Sequence, residues 1–115
     1  MKRESTPFAI LIVKNTPDDK VIWARFYWSL NSGIYGHQVI TEFNDGSGFK
    51  TEKTGGCGYC KKSSALESFI KEVTGKYIGL GGDLDYYLGG SKYHHGGNYF
   101  EIDYADLLNI DKLNK

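Results

Sequence analysis

The feature that most constrains the fold is one strong helical pattern that follows a series of strand-like segments. The apolar residues of this pattern recur at the spacing of a single helical face: Leu66, Phe69, Ile70 and Val73. Ser64 and Glu67 have the spacing of a capping box, which predicts the start of the helix, and Gly75 predicts its end. We therefore predict one main amphipathic helix that packs on a sheet.

The segments before this helix predict the sheet. Phe8–Val13 is continuously apolar, which is typical of a central strand covered on both faces. Lys20–Leu30 is rich in β-branched and aromatic residues, and Tyr35–Phe43 alternates between apolar and polar residues. Phe49–Thr54 has the charges of a short edge strand. The simplest interpretation of residues 8–54 is an antiparallel meander.

Shorter elements are predicted after the helix. Asp83–Leu88 has the pattern of a short helix, Tyr99–Asp103 that of a strand, and Ala105–Leu113 that of a last short helix. The predicted class is α+β: an antiparallel sheet, made of the N-terminal meander and the late strand, packed by one main helix and short C-terminal helices. A chain of 115 residues is expected to form a single domain, residues 1–115.

Charge and hydropathy exclude several partners. Fourteen basic residues balance fourteen acidic ones, so no overall field attracts nucleic acid or an anionic membrane, and nucleic-acid binding is not expected. The apolar run Phe8–Val13 is too short for a signal peptide, and no stretch approaches the roughly 20 apolar residues that span a bilayer. We expect a cytoplasmic protein with no membrane partner.

The glycine-rich loop Gly55–Cys60 leads directly into the predicted helix. Cys57 and Cys60 have the spacing of a thioredoxin-like redox pair, in which a helix N-terminus lowers the pKa of the first thiol. Such folds also place an apolar strand before the motif and a cis-proline opposite it. Here residues 50–54 are polar and the prolines are Pro7 and Pro17, so thiol redox chemistry stays an alternative.

The same cysteines could bind zinc with histidines. Structural sites usually combine two cysteines with two histidines three to five residues apart. His94 and His95 are adjacent and do not easily reach one ion together, although His37 offers a further imidazole. Cys57, Cys60 and His94 are therefore weak candidate ligands, and a solvated turn around residues 93–98 is the structural alternative.

A third interpretation is an anion or nucleotide site, because glycines before a helix can direct backbone N–H groups at a phosphate. A P-loop would need a second glycine where Cys60 stands, so NTP hydrolysis is not expected. The structural alternative is a tight loop against the sheet in which Cys57 is a small buried side chain. The candidate anion-binding residues are Gly55, Gly56, Gly58, Tyr59, Lys61, Lys62, Ser63 and Ser64.

The loop also carries a resemblance. Gly55–Tyr59, followed by Lys61, Ser64 and Ala65, resembles a motif of small proteins encoded by bacteriophages and mobile elements. Cys60 stands where that group has an acidic residue. The resemblance implies a phage or prophage accessory protein, a context in which inhibitors of bacterial defence, including anti-CRISPR proteins, are common. It implies no catalytic residues.

These observations favour a non-enzymatic protein, without a cofactor, that inhibits a host defence protein by binding it in the host cytoplasm. Tyrosine contributes nine of the aromatic residues, and aromatic residues dominate interface hot spots. The candidate partner-binding residues are Trp23, Arg25, Tyr27, Tyr86 and Tyr87. The alternatives are a nucleotide-binding signal sponge and a thiol or zinc protein. A homodimer through an exposed sheet edge is a further open possibility.

Overall fold

The computed structural model describes residues 3–33, 36–54, 61–82 and 84–113. The strands in this part of the chain are β1 (Ala9–Lys14), β2 (Ile22–Gly33), β3 (Gly36–Asp45), β4 (Phe49–Thr54) and β5 (Tyr99–Asp103). The α-helices are α1 (Lys61–Thr74), α2 (Leu84–Leu88) and α3 (Tyr104–Leu107), and short 3-10 turns span Pro17–Asp19 and Ile110–Lys112. The predicted α+β class is confirmed.

The strands form one mixed sheet in the order β4-β3-β2-β1-β5. The meander β1–β4 is antiparallel, as predicted. The late strand β5 pairs parallel to β1, with Leu11 beside Phe100, so the prediction of a purely antiparallel sheet is wrong. The physical reason is the path of the chain: β4 and β5 lie at opposite edges of the sheet, and the long segment between them, which contains α1 and α2, brings β5 beside β1 without a hairpin, so β5 is not held to the antiparallel direction.

The core lies on one side of this sheet, which we call the core face. Alternate residues of the strands point to it, including Leu11 of β1, Phe26 of β2 and Phe43 of β3, each at most 2% exposed. Phe69 of α1 packs edge-on against the rings of Phe26 and Phe43, at 6.3 and 5.9 Å between centroids. The predicted apolar face of the helix is therefore the face that closes the core.

The opposite side of the sheet, which we call the open face, has a different character. Each buried apolar helix residue in the described part of the chain belongs to the core cluster on the other side. Residues of the open face alternate with core residues along each strand: Ile10, Ile12, Trp23, Arg25, Tyr27, Ile40, Glu42, Phe49, Tyr99 and Glu101. β1 pairs with β2 on one side and with β5 on the other, so it is an interior strand as predicted, but Ile10 and Ile12 are only half-buried, so the prediction that both its faces are covered is wrong.

Helix α1 begins earlier than its capping signal predicted. It starts at Lys61, so Ser64 lies inside the first turn and the predicted capping box does not mark the helix start. The carboxylate of Glu67 instead accepts hydrogen bonds from the segment after the helix: Oε1 from the Leu80 backbone N–H at 2.9 Å and Oε2 from the Tyr77 hydroxyl at 3.3 Å. Glu67 thus holds the segment that follows α1 against the side of this helix.

Replacing Glu67 with alanine is expected to lower the free energy of unfolding by about 1–3 kcal/mol, because the part-buried Leu80 N–H loses its acceptor. Glu67→Gln keeps a carbonyl oxygen at the same position and is expected to lose clearly less. Urea unfolding of both variants measures the difference. Equal losses would show that the negative charge, and not the acceptor, holds this segment.

Candidate functional site: the open face of the sheet

The predicted sites in the glycine-rich loop lie outside the described residues. This applies to Gly55, Gly56, Gly58 and Tyr59 of the anion site and to the thiols of Cys57 and Cys60. Lys61 and Lys62 begin α1, Ser63 is buried, and Ser64 is half-buried. The anion-site and thiol hypotheses therefore stay predictions.

His94, the other candidate zinc ligand, lies in the loop before β5. Its Nε2 is 3.0 Å from the carbonyl oxygen of Gly97, and its ring lies against that of Phe100 at 5.2 Å. These contacts belong to the loop that leads into β5. Within the ranges that the structure describes, no group of three or more histidine, cysteine, aspartate or glutamate side chains is placed to hold a metal ion.

The candidate partner-binding residues separate into two layers. Trp23, Arg25 and Tyr27 follow one another along β2 on the open face. Tyr86 and Tyr87 belong to α2 in the helix layer. Tyr86 is 63% exposed, whereas Tyr87 is buried and its hydroxyl oxygen accepts a hydrogen bond from the Gly81 N–H. Tyr87 is therefore a structural residue, and the residues that the fold brings together are those of β2.

Two arginines stack on the aromatic rings of this row. The Arg25 guanidinium carbon lies 4.6 Å from the Trp23 ring, and that of Arg3 lies 3.7 Å from the centroid of the Tyr27 ring. Glu42 on β3 forms ion pairs with both, at 3.3 Å to Arg3 and 3.6 Å to Arg25. Stacking and ion pairing together hold the guanidinium groups in place, and Arg3 covers Tyr27, which is only 3% exposed.

The exposed apolar part of the open face lies at one end of the row. The Trp23 ring contacts that of Phe49 at 6.0 Å between centroids, and Phe49 is 60% exposed. Beside Trp23, the turn between β1 and β2 borders a shallow groove of about 570 Å³ that Ile12 and Val21 line. Val21 is 65% exposed, so apolar side chains from three strands and one turn meet solvent in one area.

The sequence-based selection missed Arg3, Glu42 and Phe49. The side chains of Arg3 and Glu42 meet across 39 residues of sequence, and no local pattern indicates such a contact. Phe49 could have been found from the sequence, because an aromatic residue in a short, charged edge strand indicates a contact surface more than a core position. Predicting a strand at residues 49–54 does not by itself show that Phe49 lies on the same face of the sheet as Trp23.

A second polar cluster surrounds Glu101 of β5. Its carboxylate accepts hydrogen bonds from Lys14 Nζ at 2.8 Å and from the Tyr99 hydroxyl at 2.8 Å, and these bonds lower the pKa of Glu101. The bond with Glu101 raises the pKa of Lys14 and that of Tyr99. The carboxylate is held ionised and the two donors are held protonated, which suits a structural network at the end of β1 and β5 better than proton transfer.

The turn between β3 and β4 contains a strongly perturbed carboxylate. Asp45 accepts hydrogen bonds from Lys50 Nζ at 2.5 Å and from the hydroxyl and backbone N–H of Ser47 at 2.6 and 2.9 Å. Lys50 first, and Ser47 second, lower the pKa of Asp45 from 3.8 to about 2. The ionised carboxylate therefore fixes the turn that begins β4.

The lowered pKa of Asp45 predicts that the free energy of unfolding decreases in acid. A carboxyl group whose pKa is lower in the folded state stabilises the fold above its unfolded pKa and loses that contribution as the pH falls towards the folded value. Asp45→Asn is therefore expected to cost about 1 kcal/mol above pH 4, and the cost should shrink towards zero near pH 2. Urea unfolding of both proteins across this range measures it. A difference that stays constant with pH would contradict the assignment.

Comparison with known proteins gives no relative of this chain. No protein-family model matches it, and neither the curated proteins nor the solved structures contain a significant match. No helix in the described ranges is long and apolar enough to cross a membrane.

Proposed function

We propose that this protein is a non-enzymatic accessory protein of a phage or mobile element that binds a host defence protein, in the manner of an anti-CRISPR inhibitor. The contact surface is the open face around Trp23, Arg25 and Phe49. The observation that carries the binding role is the half-buried Trp23 ring beside the exposed Phe49 ring and a pre-positioned arginine. The defence context rests on the resemblance of residues 55–65 to small phage-encoded proteins.

The composition of this surface suits a protein partner. Tryptophan and arginine are the residues that contribute most to interface hot spots, and phenylalanine and tyrosine are enriched at interfaces. The Arg25 side chain is 40% exposed, and its ion pair with Glu42 is long. A carboxylate of a partner can therefore reach the guanidinium while apolar partner groups cover Trp23 and Phe49.

Binding is tested by capture from a lysate of the bacterial host, followed by affinity measurement with the purified partner. Trp23→Ala is expected to weaken binding by about 30-fold or more, which corresponds to about 2 kcal/mol. Tyr86→Ala removes an aromatic side chain that is 63% exposed in the helix layer and is expected to leave the affinity within about twofold. Equal losses in the two variants, or a partner that Trp23→Ala retains at full affinity, would refute the open face as the binding site.

The defence role needs a separate measurement. Expression of the protein in a bacterium with an active defence system should raise the plating efficiency of a targeted phage, and the Trp23→Ala variant should lose that effect. Circular dichroism of the variant confirms that it remains folded. If the protein binds its partner through the open face but does not raise the plating efficiency of the phage, the binding surface is supported and the anti-defence role is refuted.

A further inference from the structure

The two edges of the sheet differ in the described part of the chain. The outer side of β5 is covered by the preceding loop: Glu101 N–H donates to the Tyr93 carbonyl at 2.9 Å, and His95 N–H donates to the Tyr99 carbonyl at 2.9 Å. Strand β4 pairs with β3 on one side, and no described strand pairs with its other side. The unpaired N–H and C=O groups of such an edge are a template for another strand.

The charges of β4 select which strand can bind there. Lys50 and Glu52 point to the core face, opposite Phe43 and Thr41 of β3, and Thr51 between them points to the open face. In a two-fold symmetric antiparallel pair, residues opposite each other must share a face, so the register can change only in steps of two residues. Each register therefore determines which charged residues of the two β4 strands lie opposite each other.

One register of β4 on a second copy matches opposite charges. With Thr51 on the symmetry axis, Lys50 lies opposite Glu52 of the partner subunit, and Glu52 lies opposite Lys50 of the partner subunit. A shift in one direction places Lys50 opposite itself, and a shift in the other direction places Glu52 opposite itself. Like charges directly opposite destabilise a strand pair, whereas opposite charges stabilise it.

We propose that the protein forms a homodimer in which β4 pairs with β4 of a second copy about Thr51. The sheet then continues across both subunits. The Lys50 ammonium group is already held at 2.5 Å by Asp45 at the end of the neighbouring strand β3, so it would lie between Asp45 and Glu52 of the partner subunit. This interface uses the sheet edge, and it stands or falls independently of binding by the open face.

The charge pairs are tested by the oligomeric state. Sedimentation velocity over a range of concentrations should show a dimer for the natural sequence. Lys50→Glu and Glu52→Lys each place like charges opposite each other twice and should raise the dimer dissociation constant by about tenfold or more. The double variant Lys50→Glu/Glu52→Lys restores opposite charges across the interface and should recover the dimer in part, because it still lacks the Lys50 partner of Asp45. A monomer at every accessible concentration, or no recovery in the double variant, would overturn the proposal.

The register is tested by cysteine cross-linking, in a background where Cys57 and Cys60 are replaced by serine. Thr51→Cys should form an intermolecular disulfide, because residues on the axis have Cβ atoms about 5 Å apart. Phe49→Cys is the control: in this register its two copies are separated by four residues, or about 13 Å, and should not cross-link. Equal cross-linking at both positions, or cross-linking only at residue 49, would refute the register.

Discussion

Replacing Phe69 with alanine is expected to lower the free energy of unfolding by about 3–5 kcal/mol, the largest loss we expect from truncating a single side chain. Phe69 is 1% exposed and joins α1 to β2 and β3 through edge-on contacts with Phe26 and Phe43. Alanine would leave a cavity among these rings. Because domains of this size are stable by only about 5–15 kcal/mol, the variant should unfold at a much lower urea concentration.

The chain contains a matched control for this truncation. Phe49→Ala removes the same side chain from the open face, where it is 60% exposed. It is expected to change the free energy of unfolding by less than about 1 kcal/mol. A loss equal to that of Phe69→Ala would mean that Phe49 is part of a core, and Phe49 could then not be an exposed anchor for a partner.

Local patterns predicted the elements of this fold well. The meander, the main helix, the short helix at Leu84–Leu88 and the strand at Tyr99–Asp103 all follow from hydrophobic periodicity and turn residues. Periodicity carries this information because residues two or three to four apart share a face of a strand or a helix. Residues 31–33, Asn-Ser-Gly, are typical of a turn but lie inside β2, which shows that turn-forming residues alone do not end a long strand.

The direction and the neighbour of β5 could not be predicted in this way. Its sequence has the same alternation whether it pairs parallel or antiparallel, since direction depends on the path of the chain between β4 and β5. The same limit applies to Glu67. Its spacing from Ser64 satisfies a capping box, but the structure directs its carboxylate to Leu80, thirteen residues away.

The candidate interaction surface was predictable only in part. Trp23, Arg25 and Tyr27 stand two residues apart in a strand-like segment, a spacing that favours one face, and in the structure they share the open face of β2. Alternation could not show that Arg3 would cover Tyr27, because that contact depends on the path of the N-terminal segment across the sheet. Tyr86 and Tyr87 show the same limit, since adjacent tyrosines differ from 63% to 6% in exposure.

The difference between the two faces of β1 gives the second large expected effect. Leu11→Asn should lower the free energy of unfolding by about 4 kcal/mol or more, because Leu11 is 0% exposed between Ala24 and Phe100. The amide would have no hydrogen-bond partner there, and the leucine volume would be lost. The adjacent Ile12 points to the open face beside Trp23 and is half-buried, so Ile12→Asn should cost only about 1 kcal/mol.

Urea unfolding, followed by circular dichroism, compares the two variants directly. A large difference is the result expected for a sheet with a helix layer on one side only. If Ile12→Asn destabilised the fold as strongly as Leu11→Asn, β1 would have to be covered on both faces, as its continuous apolar sequence alone suggests. The groove beside Trp23 would then be closed, and the open face could not be the surface that binds a partner.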